Sequence, residues 1–227
     1  LLFTGILIFL FEPIIFGGKM FGSPDSLSPR SVGMALNNAS KEIGGYPHWQ
    51  PWIFSGMPTA ESFSYLSKLY FPEYIFKIFS LPGSIIQLLH LVFAGLGCMQ
   101  FFRYFKCSSA SALLGSVAFM VTPFMITMAV FGHGSQLMTA AYIPWAILFT
   151  IKLWETPNLI NCGLLALTLG FQLQRAHAQI AYYTWLMVGF YFLVMIVYEI
   201  KNSYDPKTLL SRFTIALIAC ALGIGIS

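Results

Sequence analysis

A train of apolar runs constrains this chain most. They fall at about 1–16, 81–102, 109–131, 137–151, 159–173 and 178–200, and a last run begins near Phe213. Several approach or exceed the roughly 18 to 20 residues needed to cross a bilayer. Helices satisfy their own backbone hydrogen bonds where no water is present, so such runs fold as helices. The rest of the composition leaves no soluble alternative. Of 227 residues, 57% are hydrophobic and 9% charged; a soluble domain carries about 25% charged residues. The expected fold class is an all-α, polytopic transmembrane helix bundle of about seven spans. Pro123 predicts a kink in the third run. The runs at 137–151 and 159–173 are short and are expected to be broken or to dip towards a cavity.

Between the first two runs lies a long segment, 17–80, rich in Gly, Pro, Ser and aromatic residues. Near its end, Phe63, Leu66, Leu69, Tyr70, Ile75, Phe76 and Phe79 recur at helical spacing, with Lys68, Glu73 and Lys77 between them and Pro72 interrupting. This pattern predicts one or two short helices lying in the membrane interface. The chain opens without Met inside one apolar run and stops inside another. Its first run lacks a basic leader and a small-residue cleavage site. We read residues 1–227 as one transmembrane domain, part of a longer chain, with 17–80 as its first extracytoplasmic loop.

Basic residues set the expected orientation. Arg103 and Lys106, then Lys152, then Lys201, Lys207 and Arg212 occupy alternate short loops, which should face the cytoplasm. The opposite side then carries Asp25, Arg30, His48, Trp49, His133, Gln136, Arg175, His177 and Gln179. Polar groups gathered at span ends suggest a membrane-embedded pocket; the plain alternative is that loops are where polar residues go. Asp25 sits in Ser-Pro-Asp-Ser, a turn or helix-cap context. His133 sits in Gly-His-Gly, where small residues permit close backbone approach. Arg175 wants an anion, a lipid headgroup or another phosphate. Glu12 is expected to be buried and in need of a partner. His90, mid-run, reads as a packing histidine.

Several chemistries are excluded. The net charge of +4 comes with no basic cluster interleaved with aromatics, so no nucleic-acid partner is expected. Cys98, Cys107, Cys162 and Cys220 form no CxxC pair and read as packing residues. No nucleotide-binding loop and no HExxH or clustered Cys/His metal motif is present. Any chemistry must draw on an already activated substrate, and at an outer membrane face that suggests a lipid-linked donor.

Four segments carry a resemblance. They are the Asp25 segment; Ser40-Lys41-Glu42-Ile43 with the stretch from His48 through Trp49, Trp52 and Phe54-Ser55-Gly56-Met57-Pro58; Gly132-His133-Gly134-Ser135-Gln136 with Ala141-Tyr142-Ile143-Pro144; and His177-Ala178-Gln179-Ile180-Ala181-Tyr182-Tyr183. In this order they resemble the YfhO-like membrane proteins, which belong with the GT-C class of glycosyltransferases. The family often has Lys where this chain has Gln136, and Gly where it has Ser55. The resemblance implies transfer of a sugar from a polyprenyl-phosphate carrier to a cell-surface glycan, lipid or protein acceptor, at the outer face of a bacterial cytoplasmic membrane. Asp25 would be the catalytic base. Arg30, His48, Trp49, Trp52, His133, Gln136, Arg175, His177 and Gln179 would bind substrate, with Arg175 and the histidines stabilising the leaving phosphate and the tryptophans stacking on sugar. Families of this class differ on a divalent cation, and no metal ligands are assigned. Two other readings stand beside it: a transporter or flippase for a lipid-linked glycan, and a non-catalytic subunit of a membrane complex, for which His90 would matter more than Asp25.

Overall fold

The computed structural model describes residues 1–59, 70–202 and 205–227; the side chains of 24–30 lie outside that description. In chain order the elements are α1 (Leu2–Ile15), α2 (Pro24–Ile43), a small hairpin of β1 (Trp49–Gln50) and β2 (Met57–Pro58), then α3 (Pro72–Ile78), α4 (Gly83–Tyr104), α5 (Ser109–Met120), α6 (Pro123–Val130), α7 (Gly134–Ala140), α8 (Ile143–Glu155), α9 (Leu159–Gln174), α10 (Ala178–Asn202) and α11 (Pro206–Ile226). Among the described residues, five helical stretches are long and apolar enough to cross a membrane: α4, α5 with α6, α7 with α8, α10 and α11. The fold is a helical, multi-pass bundle. α1 and α9 are equally apolar but have 14 and 16 residues, short of the roughly 18 to 20 that a span requires.

Local chemistry explains where the helices start and break. Pro123 stands in the first turn of α6, where its missing N–H costs no hydrogen bond, and Thr122 Oγ1 accepts from Met125 N at 3.3 Å. The third run is therefore two helices in series, as its proline predicts. The fourth run breaks at Ala141–Tyr142, so α7 and α8 together reach the length of a span. Three helices that begin at one end of the bundle carry side-chain caps: Ser108 for α5, Asn158 for α9 and Asp205 for α11. Thr208 and the Lys207 amide hold the Asp205 carboxyl below its ordinary pKa.

Two cores hold the bundle. One joins α1, α4, α5, α6 and α7 around Leu7, Leu91, Met120, Met125 and Leu137. The other joins α8, α9, α10 and α11 around Trp154, Leu165, Leu169 and Val188. Small residues let α11 approach α9: Ala216, Ala219 and Gly223 are buried, and a Cβ on Gly223 would lie 3.2 Å from Leu169 Cβ. Close backbone contact of this kind replaces the hydrophobic driving force that helices lack in lipid. α10 buries only Ala181, Thr184, Val188 and Phe192, and exposes Leu186, Phe190, Leu193 and Val197. An apolar face of that extent suits a hydrocarbon surround.

Three expectations change. α2, twenty residues long, was not expected in the loop; its apolar residues are too sparse to announce it. Of the anticipated interfacial helices, α3 is present and starts at Pro72, while residues 60–69 lie outside the described residues. Glu12 is exposed rather than buried, because α1 turns Phe3, Leu7 and Phe11 inward. It sits in the last turn of α1, where a carboxylate can reach the interface.

Candidate functional site

One end of the bundle carries the turns at 105–108, 156–158 and 205, and near them six of the twelve Lys and Arg residues. The other carries 16–23, 79–82, 131–133 and 175–177, and with them His133 and His177. At this histidine end the chain entering α2 is pinned twice. Phe21 N donates to Ser84 Oγ at 3.2 Å, and Ser23 Oγ donates to the Phe131 carbonyl at 2.6 Å. Asp25, in the first turn of α2, therefore follows closely on a contact with the residue before Gly132 and His133. The Asp25 and Arg30 side chains lie outside the described residues.

Gly132 adopts φ +86°, which lets the chain turn sharply into α7, with His133 at its N-cap. The neighbouring Gly134 is needed for packing: a Cβ there would lie 2.3 Å from Gln87 Nε2 of α4. Gly-His-Gly thus makes room for a side chain of the bundle. His177 starts α10, and its Nδ1 accepts from Ile180 N at 3.3 Å. Burial pushes its pKa below the ordinary histidine value, against a backbone hydrogen bond that acts to raise it. That shift favours the neutral imidazole, and with Nδ1 accepting from Ile180 N, Nε2 is the nitrogen left to donate. His133 and Gln136 are half-buried. Gln179 is exposed, and its Nε2 donates to Tyr183 Oη at 3.2 Å along the surface of α10.

The hairpin presents His48, Trp49 and Trp52 to the surrounding medium. Trp49 packs over Gly56: a Cβ at Gly56 would lie 2.6 Å from the indole. Among the described residues, the fully buried Gln50 has no hydrogen-bond partner for either amide atom.

Arg175 departs most from expectation. Ala176, at φ +61°, turns the chain so that Arg175 points into the bundle and His177 caps the next helix. Arg175 is only 6% exposed. Its guanidinium lies 4.3 Å from the Tyr70 ring centre, and Nη2 is 3.2 Å from Met138 Sδ. Nη1 is 3.9 Å from Glu73 Oε2, and Nε has no partner. Burial lowers the pKa of Arg175, while Tyr70 and Glu73 act to raise it. A guanidinium nevertheless stays charged.

Around this cation runs a buried chain of polar groups. Tyr70 Oη lies 2.5 Å from Tyr142 Oη and 3.2 Å from His90 Nε2, and His90 Nδ1 lies 2.7 Å from the Ile86 carbonyl. These residues wall a cavity of about 550 Å³, otherwise lined by Pro72, Phe76, Phe93, Trp145 and Phe171 among others. The sequence reading missed Tyr70, Glu73 and Tyr142 as site residues. Nothing in their spacing could have shown the meeting, since positions 70 and 73, 90, 142 and 175 belong to four segments.

Polar groups elsewhere join helices. Gln172 Nε2 donates to the Thr139 carbonyl and to Thr184 Oγ1, tying α9 to α7 and α10. Among the described residues, no three His, Cys, Asp or Glu side chains gather as metal ligands. Comparison with protein-family models, with curated proteins and with solved structures finds no match for the chain.

Proposed function

We propose that the chain acts as a YfhO-like, GT-C-class glycosyltransferase of the bacterial cytoplasmic membrane. In this reading α1 and α9 cross with the five longer stretches, making seven spans, and the histidine end faces outward. A sugar moves from a polyprenyl-phosphate carrier to a cell-surface acceptor. One observation carries the reading: the Ser23–Phe131 hydrogen bond holds the start of α2 beside the Gly132–His133 turn, at the end of the bundle that also bears the 175–177 turn with His177. Three of the four motif segments thus share one end of the bundle. Further support comes from the hairpin. The related pattern has two glycines at positions 55 and 56, and here both residues have positive φ, +61° and +110°, the backbone that glycine suits.

Asp25 takes the proton of an acceptor hydroxyl as that oxygen attacks the anomeric carbon. The bond from that carbon to the carrier phosphate breaks, and the phosphate leaves with the electron pair. Neutral His177 offers it an N–H donor, and Arg175 a charge. Trp49 and Trp52, both about half exposed, offer faces for a sugar. The flippase reading is less well supported, because the hydroxyls within the helices bond to their own backbone. Ser116, Thr150 and Thr168 each donate to a carbonyl of their own helix.

The test is the profile of carrier lipids and surface glycans, by mass spectrometry, in cells carrying wild-type or Asp25→Asn protein. Expected is a build-up of sugar-loaded carrier and loss of product in the variant, with equal protein in the membrane. An unchanged profile sinks the assignment of Asp25.

A further inference from the structure

We propose that α3 is a lid over a binding site for an anionic, single-chain amphiphile, whose head displaces Glu73 from Arg175 and whose chain enters the cavity beneath Tyr70, Pro72 and Phe76. The proposal adds a gate to the transferase reading and rests on that reading only for the identity of the natural ligand.

The cavity suits hydrocarbon. Its volume, about 550 Å³, lies within the range of roughly 300–1,000 Å³ common for ligand pockets. Its walls are aromatic and aliphatic, and their polar groups are already occupied. His90 is bonded at both ring nitrogens, Tyr70 and Tyr142 bond each other, and Thr168 Oγ1 donates to the Leu164 carbonyl at 2.7 Å. A sugar would find few free partners there. From Leu164 to Phe171 the cavity follows α9 for about 10 Å at the helical rise of ~1.5 Å per residue, enough for part of an alkyl or prenyl chain.

The head site is the under-coordinated arginine. Arg175 has five N–H donors and, among the described residues, no hydrogen bond to an oxygen. It has a sulfur contact, a ring face and a carboxylate beyond hydrogen-bond range. A planar fork in that state matches the two oxygens of a phosphate or carboxylate. Glu73 is a weak occupant. Its side chain is one-third exposed, and it also pairs with Lys77 at 3.7 Å, so it can leave without becoming an isolated buried charge.

α3 is built to move. It buries none of its own residues, and Phe71, Tyr74, Ile75 and Ile78 are exposed. Its segment supplies the Tyr70, Pro72 and Phe76 wall of the cavity, and Tyr70 also lies between that wall and Arg175. Displacing α3 therefore widens a cavity already open along Leu89, Leu164 and Leu167, and frees the cation in the same movement.

Trp145 lines the cavity and reports on chain entry. Purified protein in a neutral detergent would be titrated with a monoalkyl phosphate brominated on its chain, and with an uncharged glucoside of the same chain, while tryptophan fluorescence is read. Expected is saturable quenching by the phosphate probe at lower concentration than by the glucoside, absent in Trp145→Phe. Glu73→Gln, on a partly exposed helix, should lower the half-saturating concentration about fivefold, the order expected for a partly exposed ion pair. Arg175→Gln, checked for monodispersity, should erase the preference for phosphate. Equal quenching by both probes in the wild type overturns the proposal, as does a Glu73→Gln protein that binds no better. Brominated polyprenyl phosphate and brominated phosphatidylglycerol, compared in the same assay, separate a carrier lipid from bulk anionic lipid. Probe binding retained in Asp25→Asn protein that has lost no transfer activity would leave this site standing while the transferase assignment fell.

Discussion

The two ends of the bundle hold similar kinds of residues and handle charge in opposite ways. At the basic end, Arg212 pairs closely with Glu199, Tyr104 donates to Glu155, and Lys152 lies 5.4 Å from the Tyr104 ring centre. Arg103, Lys106, Lys201 and Lys207 are exposed. At the histidine end, Arg175 is buried with a distant carboxylate, a sulfur and a ring. Counting charges would not separate these arginines. What separates them is whether strong partners remain to be supplied. Arg212 has a close carboxylate and, among the described residues, only its Nε unpaired, whereas Arg175 holds several donors in reserve beside an apolar cavity. Reserve of that kind is costly to keep in a low-dielectric setting, which is why it points to a ligand.

The largest test of this contrast compares acids from the two ends. Asp25→Asn should lower sugar transfer by about 10²- to 10⁴-fold, the range for loss of a general base. Asp205→Asn, which keeps a capping side chain, should leave transfer near wild type. Equal losses in the two variants would erase the distinction. Topology offers an all-or-none check. Cys107 is the exposed cysteine and lies at the basic end; in intact cells a membrane-impermeant maleimide should leave it unlabelled, and Ser55→Cys on the hairpin should be labelled. The reverse pattern would invert the orientation.

Effects on stability should be smaller. Gly97 meets Trp145 so closely that a Cβ would lie 2.5 Å from Nε1, and that nitrogen donates to the Phe93 carbonyl at 3.0 Å. Gly97→Ala should cost about 1–3 kcal/mol through overpacking, read as a lower midpoint of thermal unfolding in detergent. It should also disturb the fluorescence of the cavity tryptophan. Replacing each arginine by Met sharpens the comparison further. Arg212→Met leaves Glu199 without its partner and should cost about 1 kcal/mol. Arg175→Met exchanges a poorly partnered buried charge for an apolar chain and should be near neutral.

The least effect concerns pH. The pKa of His177 is lowered in the folded protein, so the unfolded chain takes up its proton first as pH falls. Stability from this group should be intact above about 6.5, the ordinary histidine value, and should decline below it until the folded pKa is passed. His177→Gln should flatten that slope in thermal melts taken between pH 7 and pH 5.

Much of the bundle was legible because bilayer physics writes itself into single residues. Apolar run length predicted α4, α10 and the paired stretches α5–α6 and α7–α8, and Pro123 marked its break. Gly132 and Gly134 signalled close approach, and the structure shows that Gly132 supplies the turn and Gly134 the room for Gln87. α2 was less legible, because it is too polar and too varied to show a clear helical stripe. The direction of Glu12 was not legible either, since both faces of α1 are apolar in sequence and only packing against α4 decides which is inside.

The sequence by itself determined that this protein is a multi-pass helical bundle and that its two ends differ in charge, because the hydrocarbon core penalises every unpaired polar group. Only the tertiary structure decided what the polar residues do. Arg175 and His177 are two positions apart, yet one turns inward onto Tyr70 and Met138 while the other caps a helix beside His133. The reason is the left-handed turn at Ala176 and the meeting of α3, α4, α7 and α9, which no local pattern records.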